Sequence, residues 1–241
     1  MRYAIFGDVH ANLEALEAVL DKMSRDKPDK YICIGDLIGY GANPCECIDK
    51  IRALNPIVVA GNHDYAAVGL LNIDFFNSYA FKAIEWTRLQ LNAQYIKFLQ
   101  QTKLLYKGDN ITAVHSSPYS PEMFEYIENN FDVQLALNEM KTSVCFVGHS
   151  HIPMSFSMTR GVVSFSSEPY VQVGKGNKVI INVGSVGQPR DENPNASYAI
   201  YEVEEGMVWI KRVEYDIEKA ARKIIDAGLP DVLAERIKYG R

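Results

Sequence analysis

Tyr3-Ala4-Ile5-Phe6-Gly7-Asp8-Val9-His10 opens the chain with a short apolar run that stops at an acid and a histidine, and the pattern then returns. Tyr31–Ile34 runs into Gly35-Asp36, and Ile57–Ala60 runs into Gly61-Asn62-His63-Asp64. Between the first and second runs, Leu13, Leu16, Leu20 and Met23 recur at helical spacing, with Asn12 placed to cap the helix. Between the second and third, Asn43-Pro44 starts a helix that carries Ile48, Ile51 and Leu54. The order is β-α-β-α-β, and helical crossovers imply parallel strands. Parallel α/β sheets bind ligands beyond the carboxyl ends of their strands. This fold therefore gathers Asp8, His10, Asp36, Asn62 and His63 on one rim. Gly7, Gly35 and Gly61 precede these residues, where the backbone must turn sharply or pass close to a neighbour.

Further along, residues 65–107 read mostly as helix, with Phe75, Tyr79, Ile84, Leu91, Ile96 and Leu99 among the apolar positions. Two readings stand for this region: a helical cap beside the sheet, or ordinary packing helices. Ile111–Val114 is a strand ending at His115, residues 116–130 form a loop, and Phe131–Met140 is a helix. Val144–Val147 then leads into Gly148-His149-Ser150-His151. After this turn, short alternating runs recur at Met154–Met158, Val162–Phe165, Val179–Asn182, Ser197–Val203 and Met207–Val213. Turn signals separate several of them, among them Thr159-Arg160-Gly161, Gly174-Lys175-Gly176-Asn177 and Glu204-Glu205-Gly206. They read as antiparallel strands of a second sheet. Asp216 caps a last helix that runs to Ala227 and stops at Gly228 and Pro230. Two sheets with helices outside make a layered α/β sandwich, and 241 residues suit a single domain, 1–241.

Bulk properties narrow the function classes. The formal net charge is −5, which disfavours a long nucleic acid as partner, since such proteins present a basic excess. No apolar run approaches the roughly 18 residues of a membrane span. The N-terminal apolar stretch ends at Asp8, too soon for a signal peptide. Of the four cysteines, Cys33 and Cys145 lie inside strand-like runs and read as buried fillers, while Cys45 and Cys47 lack the partner pair of a zinc knuckle. A reducing cytoplasm is the expected location. Oligomeric state is not legible.

The chain has five histidines, His10, His63, His115, His149 and His151, and each lies just beyond a strand-like run. With Asp8, Asp36 and Asn62 they offer mixed oxygen and nitrogen donors, which suit borderline divalent ions such as Mn²⁺, Fe²⁺, Zn²⁺ or Ni²⁺. Two such ions about 3.5–4 Å apart clamp a phosphoryl oxygen and generate a hydroxide nucleophile near neutral pH.

The ordered set Gly7-Asp8-Val9-His10, Gly35-Asp36, Gly61-Asn62-His63-Asp64, His115 and Gly148-His149-Ser150-His151 resembles the motif set of the calcineurin-like metallophosphoesterases. The later stretch Asn182-Val183-Gly184-Ser185-Val186-Gly187-Gln188-Pro189-Arg190 is similar to the small bacterial and archaeal phosphodiesterase branch of that superfamily. The resemblance implies a four-layer α-β-β-α sandwich of two mixed sheets. It implies two divalent ions, one on Asp8, His10 and His151, the other on Asn62, His115 and His149, with Asp36 bridging. It gives His63 the departing oxygen to protonate or stabilise, with Asp64 orienting His63. Asn12 and Arg190 are candidate contacts to the substrate phosphate. Each has a plainer reading: Asn12 as the helix cap alone, and Arg190 in a surface pair with Asp191 or Glu192.

One departure narrows the substrate. Ser/Thr protein phosphatases in this superfamily carry an arginine soon after the second Gly-Asp, whereas this chain reads Gly35-Asp36-Leu37-Ile38-Gly39-Tyr40-Gly41. It also has Asp64 where those enzymes carry a glutamate. The expected activity is therefore hydrolysis of a small phosphodiester or (di)nucleotide, with protein dephosphorylation as a lesser alternative. A non-catalytic metal-binding scaffold for a protein partner is the reading from a different class. Tyr40 and the aromatics of 65–107 have two readings, a face for a nucleoside base or simple burial.

Overall fold

The computed structural model describes residues 1–108, 110–174 and 176–241. The turn expected at Gly174–Asn177 includes Lys175, which lies outside the described residues.

The opening β-α-β-α-β unit is present. Strand β1 (Arg2–Phe6) is followed by α1 (Leu13–Arg25), β2 (Lys30–Cys33), α2 (Pro44–Leu54) and β3 (Ile57–Val58). β2 runs parallel to β1 and β3 parallel to β2. Asn12 caps α1, its Oδ1 accepting from the Ala15 amide at 3.2 Å, and Glu14, Lys22 and Arg25 stand where they complement the helix dipole. Pro44 sits in the first turn of α2, which ends at Asn55 in the left-handed conformation.

The region 65–107 resolves into α3 (Asn62–Ala67), α4 (Ser78–Gln90) and α5 (Ala93–Gln100). The expected helix stops short of 107, because β4 (Leu105–Gly108) forms an antiparallel hairpin with β5 (Ile111–Val114). Beyond β5 come α6 (Asn130–Glu139), capped by the Asn129 side chain, and β6 (Val144–Val147), parallel to β5.

The later strands depart from the expected single second sheet. Of β7 (Met154–Thr159), β8 (Val162–Ser166), β9 (Tyr170–Gln172), β10 (Val179–Asn182), β11 (Ala196–Glu202) and β12 (Met207–Val213), only β7, β8 and β10 join β6. The others extend the first sheet, in the order β3-β2-β1-β11-β12-β9, and the second sheet runs β4-β5-β6-β10-β7-β8. The reason lies in β11, which is buried on both faces. Tyr198 and Ile200 face the helices, and Ala199 and Tyr201 face the other sheet. A strand with two apolar faces belongs in the middle of a covered sheet, and β1 has a free side there, where β11 pairs antiparallel.

Alternation along β1 shows the layering. Tyr3 and Ile5 meet Ile111, Val144, Phe146 and Ile181 between the sheets, while Ala4 and Phe6 pack under Leu16, Val19 and Ile48 of α1 and α2. Outside the second sheet, Cys145, Val147 and Ile180 lie against Val133, Ala136 and Leu137 of α6. The result is the four-layer α-β-β-α sandwich of two mixed sheets. The chain does not end its helices at Ala227: after α7 (Ile217–Asp226), Gly228 to Pro230 turn the backbone into α8 (Asp231–Tyr239). Ile224 and Leu233 of this pair pack with Ala80 and Ala83 of α4. Among the described residues no helix is long and apolar enough to cross a membrane.

Candidate metal centre

Seven side chains converge at one rim of the sandwich: Asp8 and His10 after β1, Asp36 after β2, Asn62 at the start of α3, His115 after β5, and His149 and His151 after β6. Five of them, Asp8, His10, Asp36, His149 and His151, have φ between 48° and 67°. The left-handed region costs a residue with a Cβ about 1–3 kcal/mol, and such strain concentrates at functional sites. Here it turns each side chain off the strand axis and inward. Gly61 and Gly148 serve by leaving room: a Cβ at Gly61 would collide with the Asp36 carboxylate, and one at Gly148 with that of Asp8.

The donor atoms form overlapping groups whose members lie within 4.8 Å of one another: Asp8, His10 and His151; Asp36, His115 and His149; and His10, Asp36 and His63. Asp36 links them. Its Oδ1 accepts from the His63 backbone amide at 2.8 Å, which turns Oδ2 toward His10 Nε2 at 3.5 Å on one side and His115 Nε2 at 3.4 Å on the other. Asp8 is held by the His149 amide, 3.1 Å from Oδ2, and its Oδ1 lies 3.2 Å from His151 Nε2. Asn62 Oδ1 stands 3.1 Å from His115 Nε2, beside His149 Nδ1 at 3.2 Å.

The imidazoles are oriented from behind. The Nδ1 atoms of His10, His115 and His151 face the carbonyls of Ile38, Ile34 and Gln188 at 3.3, 2.9 and 2.6 Å. Donation to a carbonyl keeps a proton on Nδ1 and makes Nε2 the ligand atom of each ring in its neutral form. His10 Nε2 and His151 Nε2 then point at each other across 3.0 Å. Two lone pairs aimed together beside a buried carboxylate fit a site for divalent cations.

Electrostatics agree with this. Burial lowers the pKa of His10, His149 and His151, keeping them neutral as ligands must be. Burial also works on His115, but the Asp36 and Asp8 carboxylates outweigh it and push it up to about 9. For Asp36, burial is outweighed by His115 and His63, and its carboxyl falls well below the usual range.

His63 lines the cleft over the site, packed against Tyr40 and Phe76 with ring centroids at 4.4 and 5.3 Å. Burial drops its pKa to about 4. Its buried Nδ1 has no hydrogen-bond partner. The expectation that Asp64 orients this ring is corrected. Asp64 Oδ1 accepts from the amides of Leu37 at 2.9 Å and Ile38 at 3.4 Å, and Oδ2 accepts from Gly61 at 3.1 Å. It straps two ligand loops together instead, and burial and the Asp36 charge push its carboxyl up to about 7. Asn12 is likewise spent within the fold: Oδ1 caps α1, and Nδ2 donates to the Gly187 carbonyl at 2.9 Å. Arg190 is free of the surface pair, since Asp191 bonds Arg212 and Glu192 lies by Arg241. Its guanidinium donates to Gln188 Oε1 at 2.9 Å, lies over the Tyr40 ring and lines the cleft. Tyr40 is 6% exposed and forms wall, not a stacking face.

The cleft measures about 340 Å³. Phe124 and Tyr126, from the loop before α6, had no signal in the sequence because the loop has no periodicity. Tyr126 stacks on His149 with ring centroids 4.0 Å apart, and Phe124 lies edge-on to His115 at 6.1 Å.

Fold and site define a calcineurin-like phosphoesterase. The sequence model of that superfamily domain matches residues 1–206, and the chain belongs to this family. It is 41% identical over 242 residues to an uncharacterised protein of Methanocaldococcus jannaschii, covering 99% of this chain and 98% of that one. Among solved structures, a metallophosphoesterase from Sphaerobacter thermophilus superposes with a TM-score of 0.88 at 39% identity, over 100% of this chain and 99% of that one. A hypothetical protein from Pyrococcus horikoshii shares the fold, with a TM-score of 0.83 at 19% identity, over 100% and 98% of the two chains.

Proposed function

We propose that the protein is a dinuclear metal-dependent phosphoesterase acting on a small phosphodiester or (di)nucleotide. The observation that carries this reading is Asp36: one carboxylate oxygen faces histidines of both donor groups, the placement a bridging ligand needs. Asp8, His10 and His151 would hold one ion, and Asn62, His115 and His149 the other. Mn²⁺, Fe²⁺, Zn²⁺ and Ni²⁺ all suit these donors. Bound ions of this kind polarise a phosphoryl oxygen and lower the pKa of water.

The chain's own residues supply the rest. Arg190 offers a guanidinium to a non-bridging phosphate oxygen, a charge-assisted contact. His63, neutral in its buried place, directs an N–H at the oxygen that leaves and stabilises its developing charge. The whole of 1–241 acts as one domain, with residues 71–80 of the cap-like region forming the cleft rim over the ligands. The cysteines are all free, which fits a reducing compartment such as the cytoplasm.

The test is turnover of bis-p-nitrophenyl phosphate by manganese-loaded protein. Activity should vanish in Asp36→Ala, with fewer than two ions bound per chain. Full turnover in that variant would overturn the assignment.

A further inference from the structure

Two loops that wall the cleft carry apolar side chains the fold leaves uncovered. Phe75, between α3 and α4, is 93% exposed, and Met123, in the turn before Phe124, is 61% exposed. Both line the same cleft as Asp36, His63 and Arg190. Large apolar groups exposed on separate loops around one polar cleft mark a surface built to be covered. Among the described residues lining this cleft, Arg190 is the only lysine or arginine. The two divalent ions of the proposed centre would take up one phosphoryl group, and any further phosphate in a row would find only the Arg190 guanidinium among these residues, a poor match.

Resting on the phosphodiesterase reading above, we infer that the cleft takes a nucleoside ester with a single phosphoryl group, the base packed against Phe75 and Met123. The phosphoryl group lies toward Arg190 and the ligand cluster. The wall decides for a base over an alkyl chain. Phe75, Phe76 and Tyr126 are aromatic and Met123 is a thioether, side chains that pack against flat π faces. Asn72 and Asn77 interrupt the wall, giving amides for a base's polar edge. A cleft of about 340 Å³ matches a compact ligand and not a long chain.

The experiment compares ligands that share the phosphate ester and differ in the nucleoside, with the double variant assigning the difference to the base wall. Calorimetric titration of manganese-loaded full-length protein with thymidine 5′-monophosphate and with ethyl phosphate reads binding without turnover. The nucleotide should bind about tenfold tighter or more, as base stacking allows, and Phe75→Ala with Met123→Ala should bring that ratio close to one. Both side chains are largely exposed, so the double variant keeps its core. In parallel, the p-nitrophenyl esters of thymidine 5′-monophosphate and of ethyl phosphate are compared by kcat/KM, which should show the same preference. Equal binding of the two ligands, or a preference that survives the double variant, overturns the inference. So does faster hydrolysis of a dinucleoside tetraphosphate than of the single-phosphate ester, or a dimer in sedimentation that Phe75→Ala dissociates. Base-dependent binding with no hydrolysis of any ester would sustain the base site and sink the hydrolase reading. Hydrolysis of both esters at equal rates would do the reverse.

Discussion

At the scale of single residues, the site rests on a division of labour between neighbours in sequence. His63 and Asp64 are adjacent, yet one faces the cleft and the other holds two loops from beneath. The pair separates the roles experimentally. His63→Ala should lower kcat by about 10²–10³-fold for an alkoxide leaving group, the range of one lost oxyanion donor. The loss should be far smaller for p-nitrophenolate, which leaves without help, and the metal content should stay at wild-type level. Equal losses across leaving groups would mean that His63 acts elsewhere. Asp64→Ala should act on stability. It strips the buried amides of Leu37 and Gly61 of their acceptor, at about 1–3 kcal/mol for each unpaired group. At roughly 2–4 °C per kcal/mol for a chain of this size, thermal unfolding should move down by several degrees. An unchanged midpoint would show that water replaces the carboxylate. The candidate ligands were legible in the sequence because each follows a strand end, where chemistry and topology coincide. Arg190 was legible only as a pair of alternatives. What decided between them was tertiary: Arg212 and Arg241 take the neighbouring acids.

At the scale of elements, the parts read correctly are those where pattern and environment agree. The β-α-β-α-β start alternates apolar runs with two helices marked locally, α1 by the Asn12 cap and α2 by Pro44 in its first turn, so its pattern survives folding. The pieces that escaped are short or interrupted. β4 is a four-residue strand on a sheet edge, β9 is a three-residue strand with two exposed residues, and α8 restarts just after a proline that reads as a stop. Assignment of the late strands between two sheets turned on β11, whose partner is β1 at the other end of the chain, with Ala4 opposite Ile200, a pairing no local window contains. One contact of this kind yields a prediction. Asp26, at the end of α1, accepts from Tyr198 Oη of β11 at 2.6 Å and from Lys211 of β12. Burial works against its ionisation, but the Lys211 and Tyr198 hydrogen bonds prevail and its pKa is lowered. A carboxyl with a lower pKa in the folded state adds stability above its unfolded pKa of about 3.9 and loses it as pH falls through the folded value. Asp26→Asn should therefore lower stability near neutral pH, with the gap to wild type closing in acid. Denaturant midpoints measured from pH 7 to pH 2 check this, and a gap that stays constant would remove the ionic contribution.

At the scale of the whole molecule, the site is a point where folding, protonation and cation binding meet. Four loops bring two buried carboxylates and a ring of imidazoles together, and without cations that assembly is costly. Divalent ions bind the folded arrangement and not the unfolded chain, so they should raise the unfolding temperature by the linkage RT ln(1 + [L]/Kd), about 2.7 kcal/mol at a hundredfold excess over Kd. The pH dependence follows from the same residues. His10, His63, His149 and His151 have folded pKa values below the unfolded value of about 6.5, because burial disfavours their charge. Between the two values the unfolded chain binds more protons, so the stability of chelator-treated protein should fall as pH drops below about 6.5. His115 has the opposite sign: raised to about 9, it holds a proton at pH 7.5 that must leave before its Nε2 can bind an ion. Metal uptake at pH 7.5 should thus release about one proton per chain, seen as a dependence of the calorimetric heat on the buffer's ionisation enthalpy. The release should disappear above about pH 10, where His115 is already neutral. Heats that do not vary with buffer at pH 7.5 would mean that His115 is already neutral there, and a Tm indifferent to Mn²⁺ would mean that these side chains are held together by hydrogen bonds alone, with no cation to organise them.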